Sequence, residues 1–341
     1  MMGRMSNTPN PHGPQPLTGR VTLVSLSPWP EERLREMVGP DTAQVQFTIE
    51  VAPAEPGPQE VRELLSHADL VIGDGRHKTQ VERSALETMS RCHLIQQPAV
   101  GFDSIDHRAA ADCGIPVANA AGYNRDSVAD LVVMQMLNLL RHGSDGDRVF
   151  RRGGWRPPGE GRELGAMTVG IVGLGNVGST VAQRLRGFGS RILFTDIIPR
   201  SLPGAEQLPL DELLRRADIV TVHVPLDRDT RGLIGREQLA SMRPGSFFLN
   251  ASRGPVVDEA ALVEHLHSGH LGGAALDVFE VEPLSEQSPL RELDNVFLTA
   301  HIGGYTREAM ARSIRVVATN LQRVVQGQEP FNVVNGVAYR R

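Results

Sequence analysis

Three side chains that can bind anions or transfer protons follow apolar runs in the C-terminal half of the sequence. Arg253 follows SFFLNAS, Glu282 follows GGAALDVFEV and His301 follows NVFLTA. Each has an ordinary structural interpretation by itself: a surface ion pair, a solvated carboxylate and a strand-end packing residue. Together they suit proton transfer beside an anion, because imidazole titrates near neutral pH, a carboxylate favours its charged form and a guanidinium binds carboxylates.

A glycine-rich turn, VGIVGLGNVG, lies between an apolar strand and a helical stretch and predicts a phosphate-binding site. In its GxGxxG spacing, Gly173 permits the tight turn, Gly175 lets a pyrophosphate approach the backbone and Gly178 lets the helix pack closely on the strand. The amides of Asn176 and Val177 are then expected to point at the phosphates from the positive end of the helix.

An acidic residue at the end of the next strand favours NAD over NADP. Asp196 ends RILFTD, eighteen residues after Gly178, where a carboxylate binds ribose hydroxyls and repels a 2′-phosphate. Arg200 follows it closely and keeps NADP open as an alternative. His223, at the end of TVHV, is expected to pack near the nucleotide. A methyltransferase that binds S-adenosylmethionine uses a similar turn, but the mid-chain motif and the charged strand ends after it disfavour that class.

A dinucleotide and the three charged side chains fit the reduction of a 2-keto acid. The nicotinamide supplies the hydride, His301 the proton for the developing alkoxide, Glu282 the charge that keeps the ring protonated, and Arg253 the cation for the carboxylate and carbonyl of the substrate. The other histidine cluster, EHLHSGH, is not expected to bind zinc, because residues two positions apart do not share a helix face. The sequence therefore predicts no metal site.

Two series of short apolar runs separated by helical stretches predict two doubly wound parallel-sheet α/β domains in tandem. The first series runs from VTLVSL to IPVAN and the second from MTVGIVGLG to NVFLTA,. A long helix over residues 127–142 lies between them, and the Gly/Arg/Pro-rich connector over residues 143–164 is predicted to be a surface loop. Residues 1–20, rich in Pro, Asn and Gly, are predicted to be a disordered tail and not a signal peptide.

Composition narrows the class of partners. The formal charge of −5 and the lack of a basic block with interleaved aromatics argue against nucleic acid,. The longest apolar segment, VADLVVMQMLNLL, is interrupted by polar residues and too short for a bilayer,. Two cysteines without a CxxC motif favour a reducing cytoplasm,.

Five blocks, in this order, resemble the D-isomer-specific 2-hydroxyacid dehydrogenases: VGIVGLGNVGSTVAQRL, ADIVTVHVPLDRDTRGLIG, FLNASRGPVVDEAAL, GGAALDVFEVEPL and LTAHIGG. The resemblance covers nearly everything from Val21 to Asn335. It places the catalytic Arg, Glu and His of the family on Arg253, Glu282 and His301.

The resemblance also implies where ligands bind. The block AVGFDSID implies that backbone amides near Val100 and Gly101 hold the substrate carboxylate. A carboxylate opposite the nicotinamide amide falls on Asp277. The remaining cofactor contacts fall in the resembling blocks, which add to the glycine turn and Asp196 the residues His223, Val224, Pro225, Thr230, Ala251, Ser252, Arg253, His301 and Gly303.

The fold that the resemblance implies is a Rossmann-type NAD-binding domain over residues 122–303 and a discontinuous flavodoxin-like substrate domain over residues 21–121 and 304–341. Members of the family typically form homodimers through the cofactor domains, with the long helix as the expected contributor here. Two alternatives on this fold stay open. One is a formate- or phosphite-type dehydrogenase, although formate enzymes resemble one another in pairing the His with Gln. The other is an NAD-sensing regulator similar to the C-terminal binding protein corepressors.

Overall fold

The computed structural model describes residues 15–155 and 159–339, which divide into two compact units. The first comprises the described residues up to Tyr123 and those from Met310 onward, and the second is Asn124–Ala309. The boundaries predicted from the sequence follow residues 121 and 303, whereas those of the structure follow residues 123 and 309, slightly later in the chain. The second boundary falls within a helix and not in the glycine turn that precedes it.

The first unit is a parallel five-stranded sheet in the order β2-β1-β3-β4-β5, the flavodoxin-like order,. Its strands are β1 Gly19–Ser25, β2 Val45–Val51, β3 Leu70–Ile72, β4 Leu94–Gln96 and β5 Val117–Ala118. Its first helices are α1 Glu31–Val38, α2 Pro58–Leu65, α3 Arg83–Leu86 and α4 His107–Asp112.

The second unit is a parallel seven-stranded sheet in the order β12-β11-β10-β9-β6-β7-β8. Its strands are β6 Thr168–Val172, β7 Arg191–Thr195, β8 Ala205–Gln207, β9 Ile219–Val222, β10 Phe247–Asn250, β11 Gly273–Leu276 and β12 Val296–Leu298. Its helices are α5 Arg125–Arg141, α6 Gly143–Arg151, α7 Asn176–Arg186, α8 Leu210–Arg216, α9 Arg236–Ser241 and α10 Glu259–His267. The order reverses between β6 and β9, which is the switch point of a Rossmann fold.

Both sheets are covered by helices on two faces, because alternate residues of each strand point to opposite sides. In the first unit, Leu23 packs in the cluster that contains α1 and the C-terminal helix α11 Arg307–Val325, whereas Val24 packs with α2 to α4. In the second unit, one cluster contains α5 and α7 and the other contains α8 to α10. The predicted fold class of two doubly wound parallel sheets is confirmed.

Three local predictions need correction. The connector contains the helix α6, in which Arg148 pairs with Asp145 and Arg151 with Asp147 at helical spacing,; its residues 156–158 lie outside the described ranges. Strand β8 was not predicted, since Ala205 is followed by two polar residues, Glu206 and Gln207, and the strand pairs only at the sheet edge.

The predicted tail also ends too late in the chain. Gly19 and Arg20 belong to β1, and the buried Leu17 donates its N–H to Val325 at 2.9 Å. Residues 1–14, which make up the rest of the predicted tail, lie outside the described ranges.

The site residues predicted in the second unit lie in the segments that follow the carboxyl ends of its strands, including the first turn of α7, and ligands bind at this edge in open α/β sheets,. Within the described ranges, no helix combines the length and apolar character that crossing a bilayer requires.

Candidate active site

The glycine turn joins β6 to α7 and is built for close approach. Gly173 has φ of +93°, a backbone conformation that favours glycine, and a Cβ there would lie 2.9 Å from Val224,. A Cβ on Gly178 would lie 2.0 Å from the carbonyl oxygen of Gly173, so the first turn of α7 packs directly on the loop. A Cβ on Gly175 meets no atom within 4 Å, which leaves open space beside the start of α7. These residues fit the pyrophosphate of a dinucleotide, with Asn176 and Val177 in the first helical turn,.

Asp196 follows β7 and closes the same turn. Its Oδ2 accepts hydrogen bonds from the Leu174 N–H and from Nε of Arg200, both at 2.9 Å, and its Oδ1 accepts one from the Ile198 N–H at 3.2 Å. Burial raises the pKa of Asp196, but these donors and the Arg200 charge outweigh it and hold the pKa below its usual value,. An ionised carboxylate therefore lies where the ribose of a dinucleotide is expected.

The segment after β9 lies against the glycine turn. A Cβ on Gly173 would also lie 3.0 Å from the His223 carbonyl oxygen. His223 Nε2 is 3.0 Å from Thr221 Oγ1, and burial lowers the pKa of His223 to about 3, so its ring is neutral. Thr230 donates its hydroxyl to the Pro225 carbonyl at 2.7 Å and closes the next turn. The structure thus brings His223, Val224 and Pro225 to the predicted cofactor side of the unit.

His301 and Glu282 form a direct pair. His301 Nδ1 lies 2.7 Å from Oε2 of Glu282, and Oε1 of Glu282 accepts the Phe279 N–H at 3.1 Å. Burial raises the pKa of Glu282, but the hydrogen bond and charge of His301, the Phe279 N–H and the charge of Arg253 together lower it,. The carboxylate is therefore ionised at neutral pH, with the imidazole of His301 and the charge of Arg253 nearby.

The loop that carries His301 is held by a buried carboxylate. His301 has φ of +53°, which is uncommon for a residue other than glycine,. Asp277, only 1% exposed, accepts the Thr299 hydroxyl at 2.6 Å, the Ile302 N–H at 2.9 Å and the Gly303 N–H at 2.8 Å. The His301 N–H also donates to the Asp277 carbonyl at 2.8 Å. Asp277 therefore fixes the backbone on both sides of the imidazole.

Arg253 is presented by a second ordered loop, after β10. Asn250, which is buried, donates its side-chain amide to the Arg253 carbonyl at 2.9 Å and accepts from the N–H and hydroxyl of Ser252 at 2.9 and 2.8 Å. Nη1 of Arg253 donates to the Ser252 carbonyl at 2.8 Å. A Cβ on Gly254 would lie 1.8 Å from the Phe279 carbonyl oxygen, so this loop packs on the segment that leads to Glu282. Ala251 and Ser252 are partly exposed within it.

Sequence reasoning missed the residues that hold these loops. Asn250 and Thr299 have weak sequence signals, as polar residues at strand ends. Gly254 has a clearer one, because glycine is the residue that allows another backbone to approach closely. Gly303 was predicted as a cofactor contact, and a Cβ there would lie 2.9 Å from Oδ2 of Asp277.

Val100 and Gly101 belong to the first unit, on the turn that follows β4. The Val100 side chain is 38% exposed. The Val100 carbonyl accepts Nδ2 of Asn119 at 2.6 Å, and the Ala99 carbonyl accepts the Ala120 N–H at 3.1 Å. The turn is therefore anchored through its carbonyl groups.

Two histidines of EHLHSGH are in contact through their rings. The rings of His265 and His270 lie with centroids 5.1 Å apart at 56°. In the part of the chain that the structure describes, no group of three or more His, Cys, Asp or Glu side chains is arranged to hold a metal ion.

Comparisons with known proteins identify the family of the chain. The model of the D-isomer specific 2-hydroxyacid dehydrogenase NAD-binding domain matches residues 133–303. A glyoxylate reductase of Thermofilum pendens is 39% identical over 266 residues, which cover 75% of this chain and 78% of that protein. A D-3-phosphoglycerate dehydrogenase of Methanocaldococcus jannaschii is 39% identical over 283 residues, 81% of this chain and 53% of the longer relative.

A solved structure extends the match to both sheets. The TT0316 protein from Thermus thermophilus superposes with a TM-score of 0.81 at 33% identity, over 92% of this chain and 100% of that one. The chain belongs to the D-isomer specific 2-hydroxyacid dehydrogenase family. It is an NAD-dependent 2-hydroxyacid dehydrogenase, and its cofactor is NAD.

Proposed function

We propose that the chain interconverts a small 2-keto acid and its D-2-hydroxy acid, with His301 as the general acid in reduction and the general base in oxidation. The observation that carries the proposal is the 2.7 Å contact between His301 Nδ1 and Glu282 Oε2. Because this contact occupies Nδ1, the other ring nitrogen, Nε2, is the atom assigned to the substrate oxygen. The ionised Glu282 stabilises the imidazolium that donates the proton.

Arg253 is assigned to the substrate anion. Its planar guanidinium can bind the carboxylate and polarise the reacting carbonyl. The amides of Val100 and Gly101 are assigned to the same carboxylate. Bound NADH supplies the hydride. The role of the chain is then to orient the keto acid, neutralise its carboxylate and deliver one proton to the developing alkoxide.

The cofactor contacts follow from the same edge of the second sheet. We assign the pyrophosphate to Gly173, Gly175 and Gly178 with the first turn of α7, and the adenosine ribose to Asp196. The nicotinamide half is assigned to the remaining contacts, which are His223, Val224, Pro225, Thr230, Ala251, Ser252, Asp277 and Gly303.

The test is a panel of 2-keto acids, including glyoxylate, pyruvate, hydroxypyruvate and bulkier acids, assayed by initial rates of NADH and NADPH oxidation. The product should be the D-isomer by chiral chromatography. Replacing His301 with Ala should lower turnover by about two to four orders of magnitude and leave NADH binding nearly unchanged. A His301→Ala variant that keeps most of the turnover would refute the assignment.

The alternatives have distinct outcomes in the same assay. Reduction of NAD by formate or phosphite, without activity on keto acids, would indicate a formate- or phosphite-type dehydrogenase. Formate oxidation needs no proton shuttle, so the ionised Glu282 beside His301 weighs against formate. NADH binding without turnover of any acid would indicate an NAD-sensing regulator.

We also propose that the chain forms a homodimer and works in the cytoplasm. The end of α6 and the turn after it expose two aromatic rings, Phe150 at 62% and Trp155 at 84%, with centroids 6.0 Å apart. Met134 exposes 41% of its surface on α5. Exposed large apolar side chains of this kind favour contact with another protein surface. The cytoplasmic location rests on the low cysteine content, two cysteines without a CxxC motif,.

A further inference from the structure

In the turn after β4, three successive carbonyl oxygens each accept a hydrogen bond. The Pro98 carbonyl accepts the Ser313 hydroxyl at 2.5 Å, the Ala99 carbonyl accepts the Ala120 N–H at 3.1 Å, and the Val100 carbonyl accepts Nδ2 of Asn119 at 2.6 Å. Ser313 and Asn119 are 2% and 5% exposed, so both side-chain donors lie in the interior of the first unit.

Peptide geometry converts these bonds into an orientation of the N–H groups. In a planar trans peptide, the carbonyl of one residue and the N–H of the next point in opposite directions. Anchoring the Ala99 carbonyl inward therefore turns the Val100 N–H outward, and anchoring the Val100 carbonyl turns the Gly101 N–H outward. Within the described ranges, neither N–H donates to another residue. Two neighbouring backbone donors that both face outward can bind a carboxylate.

The Asn119 side chain acts as a hydrogen-bond donor in the interior of the first unit, although only one end of its amide has a partner. Its Oδ1 is buried and has no hydrogen-bond partner among the described residues. Reversing the amide would place two acceptor oxygens 2.6 Å apart, so Nδ2 must face the Val100 carbonyl,. A buried acceptor without a partner costs stability. An apolar residue of similar size would avoid that cost but would leave the Val100 carbonyl without its donor.

We propose that Asn119 is a positioning residue for substrate binding, which sets the Gly101 amide toward the substrate carboxylate by anchoring the preceding carbonyl. This inference rests on the proposed function, since it assumes that the Val100 and Gly101 amides bind the carboxylate of a 2-keto acid. Ser313 anchors the same turn two peptides earlier, at the Pro98 carbonyl. It sets the Ala99 N–H, which has no assigned role in substrate binding. The two buried donors therefore make a matched pair for a test.

The experiment compares Asn119→Leu, Asn119→Asp and Ser313→Ala with the wild-type chain, using glyoxylate at saturating NADH. Asn119→Leu should raise the KM for glyoxylate about tenfold or more, the effect of losing one hydrogen bond to a charged group, with kcat lowered less than about threefold. The NADH dissociation constant should be unchanged, which also shows that the variant is folded. For Asn119→Asp, the KM of the variant divided by the KM of the wild type should rise with pH. The reason is that the ionised carboxylate cannot donate a hydrogen bond to the Val100 carbonyl.

The control and a structural readout separate the possible failures. Ser313→Ala should keep KM within about twofold of the wild type, because its peptide carries no assigned contact. Equal effects in Ser313→Ala and Asn119→Leu would overturn the proposal, since general loosening of the turn would explain both. An unchanged KM in Asn119→Leu would overturn it as well. If the wild type reduces no 2-keto acid, the proposed function itself fails. Crystal structures then decide the positioning role, because the Val100 carbonyl should turn outward in Asn119→Leu and stay inward in the wild type.

Discussion

At the residue scale, the charge of Glu282 is the part of the site that most directly affects the imidazole. The partner of Glu282, His301, lies on a loop with an uncommon backbone conformation. Both carboxylate oxygens of Glu282 are engaged, one by the His301 ring and one by the Phe279 N–H. The lowered pKa of Glu282 means that this charge persists through the neutral range. A neutral amide at this position could still bind the ring but would not favour its cationic form.

We therefore expect Glu282→Gln to change the pH dependence of reduction. The variant should lower kcat/KM for the 2-keto acid by about ten- to a hundredfold near neutral pH. The pH above which reduction declines should also move to lower values, because the imidazolium loses its counter-charge. Initial rates from pH 5 to 9, with NADH affinity as the control, check this. An unshifted profile would mean that Glu282 only positions the ring.

The lowered pKa of Glu282 also determines how its contribution to folding stability changes with pH. Because the pKa of Glu282 is lower in the folded chain than in the unfolded one, its contribution to stability is present above the unfolded pKa. It is lost as the pH falls through the folded pKa,. The wild type should therefore lose its stability advantage over Glu282→Gln on acidification, as measured by urea denaturation.

The cofactor preference also depends on a single residue. Asp196 would repel a 2′-phosphate, and Arg200, the natural partner for such a phosphate, is paired with Asp196 at 2.9 Å,. Asp196→Ala should lower kcat/KM with NADH and raise it with NADPH, each by about tenfold, because the guanidinium then becomes available. The double variant Asp196→Ala with Arg200→Ala should lose the gain with NADPH. A gain that persists in the double variant would exclude Arg200 as the phosphate partner.

At the scale of elements, most strands could be predicted from their apolar runs. Elements that lack such a run could not be predicted in this way. VGIVGLG is an apolar run that ends in glycine, and NVFLTA is a mostly apolar run followed by a histidine, so β6, β12 and the residues after them could be placed. Strand β8 has no apolar run, because Glu206 and Gln207 follow Ala205, and it pairs only with β7. The helix α6 has few buried contacts and is stabilised by local ion pairs, which its Gly-rich context concealed.

The role of Asp277 illustrates what sequence spacing leaves out. The sequence places a carboxylate after β11 and an imidazole after β12, two adjacent strands. It does not indicate that the carboxylate accepts three donors from the segment that carries the imidazole. Those contacts depend on the register between β11 and β12, in which Leu276 is paired with Leu298.

We expect the Thr299 hydroxyl to stabilise this loop in the conformation that orients His301. Thr299→Val keeps the shape of the side chain and removes the 2.6 Å hydrogen bond to Asp277. It should lower kcat by about tenfold, since misplacing a proton donor slows chemistry more than binding. Thr299→Ser, which retains the hydroxyl, should stay close to the wild type. Single-turnover measurements at saturating NADH test this, and an unchanged rate in Thr299→Val would show that the other donors to Asp277 suffice.

At the scale of the whole molecule, the division into two sheets was predictable because each series of apolar runs forms its own core. The four apolar clusters fall in pairs, two in each unit, and each pair flanks one sheet. The boundaries were less predictable, since α11 begins before the second boundary and continues beyond it. A helix that crosses a domain boundary gives no change in composition at the crossing point.

Exposed aromatic side chains on the second unit offer a surface for contact between two copies of the chain. Phe150 and Trp155 expose their rings together at the end of α6, whereas Phe188 exposes 44% of its surface at the end of α7. If the first pair forms the contact between two copies, a charge placed there must be desolvated on association, which opposes it. The wild type should elute in light-scattering chromatography at about twice the chain mass of 37.1 kDa,. Trp155→Glu should elute at the monomer mass, and Phe188→Glu should remain a dimer. A monomeric wild type would exclude the homodimer, and a dimeric Trp155→Glu would place its interface elsewhere, with the exposed Met134 face of α5 as the next surface to test.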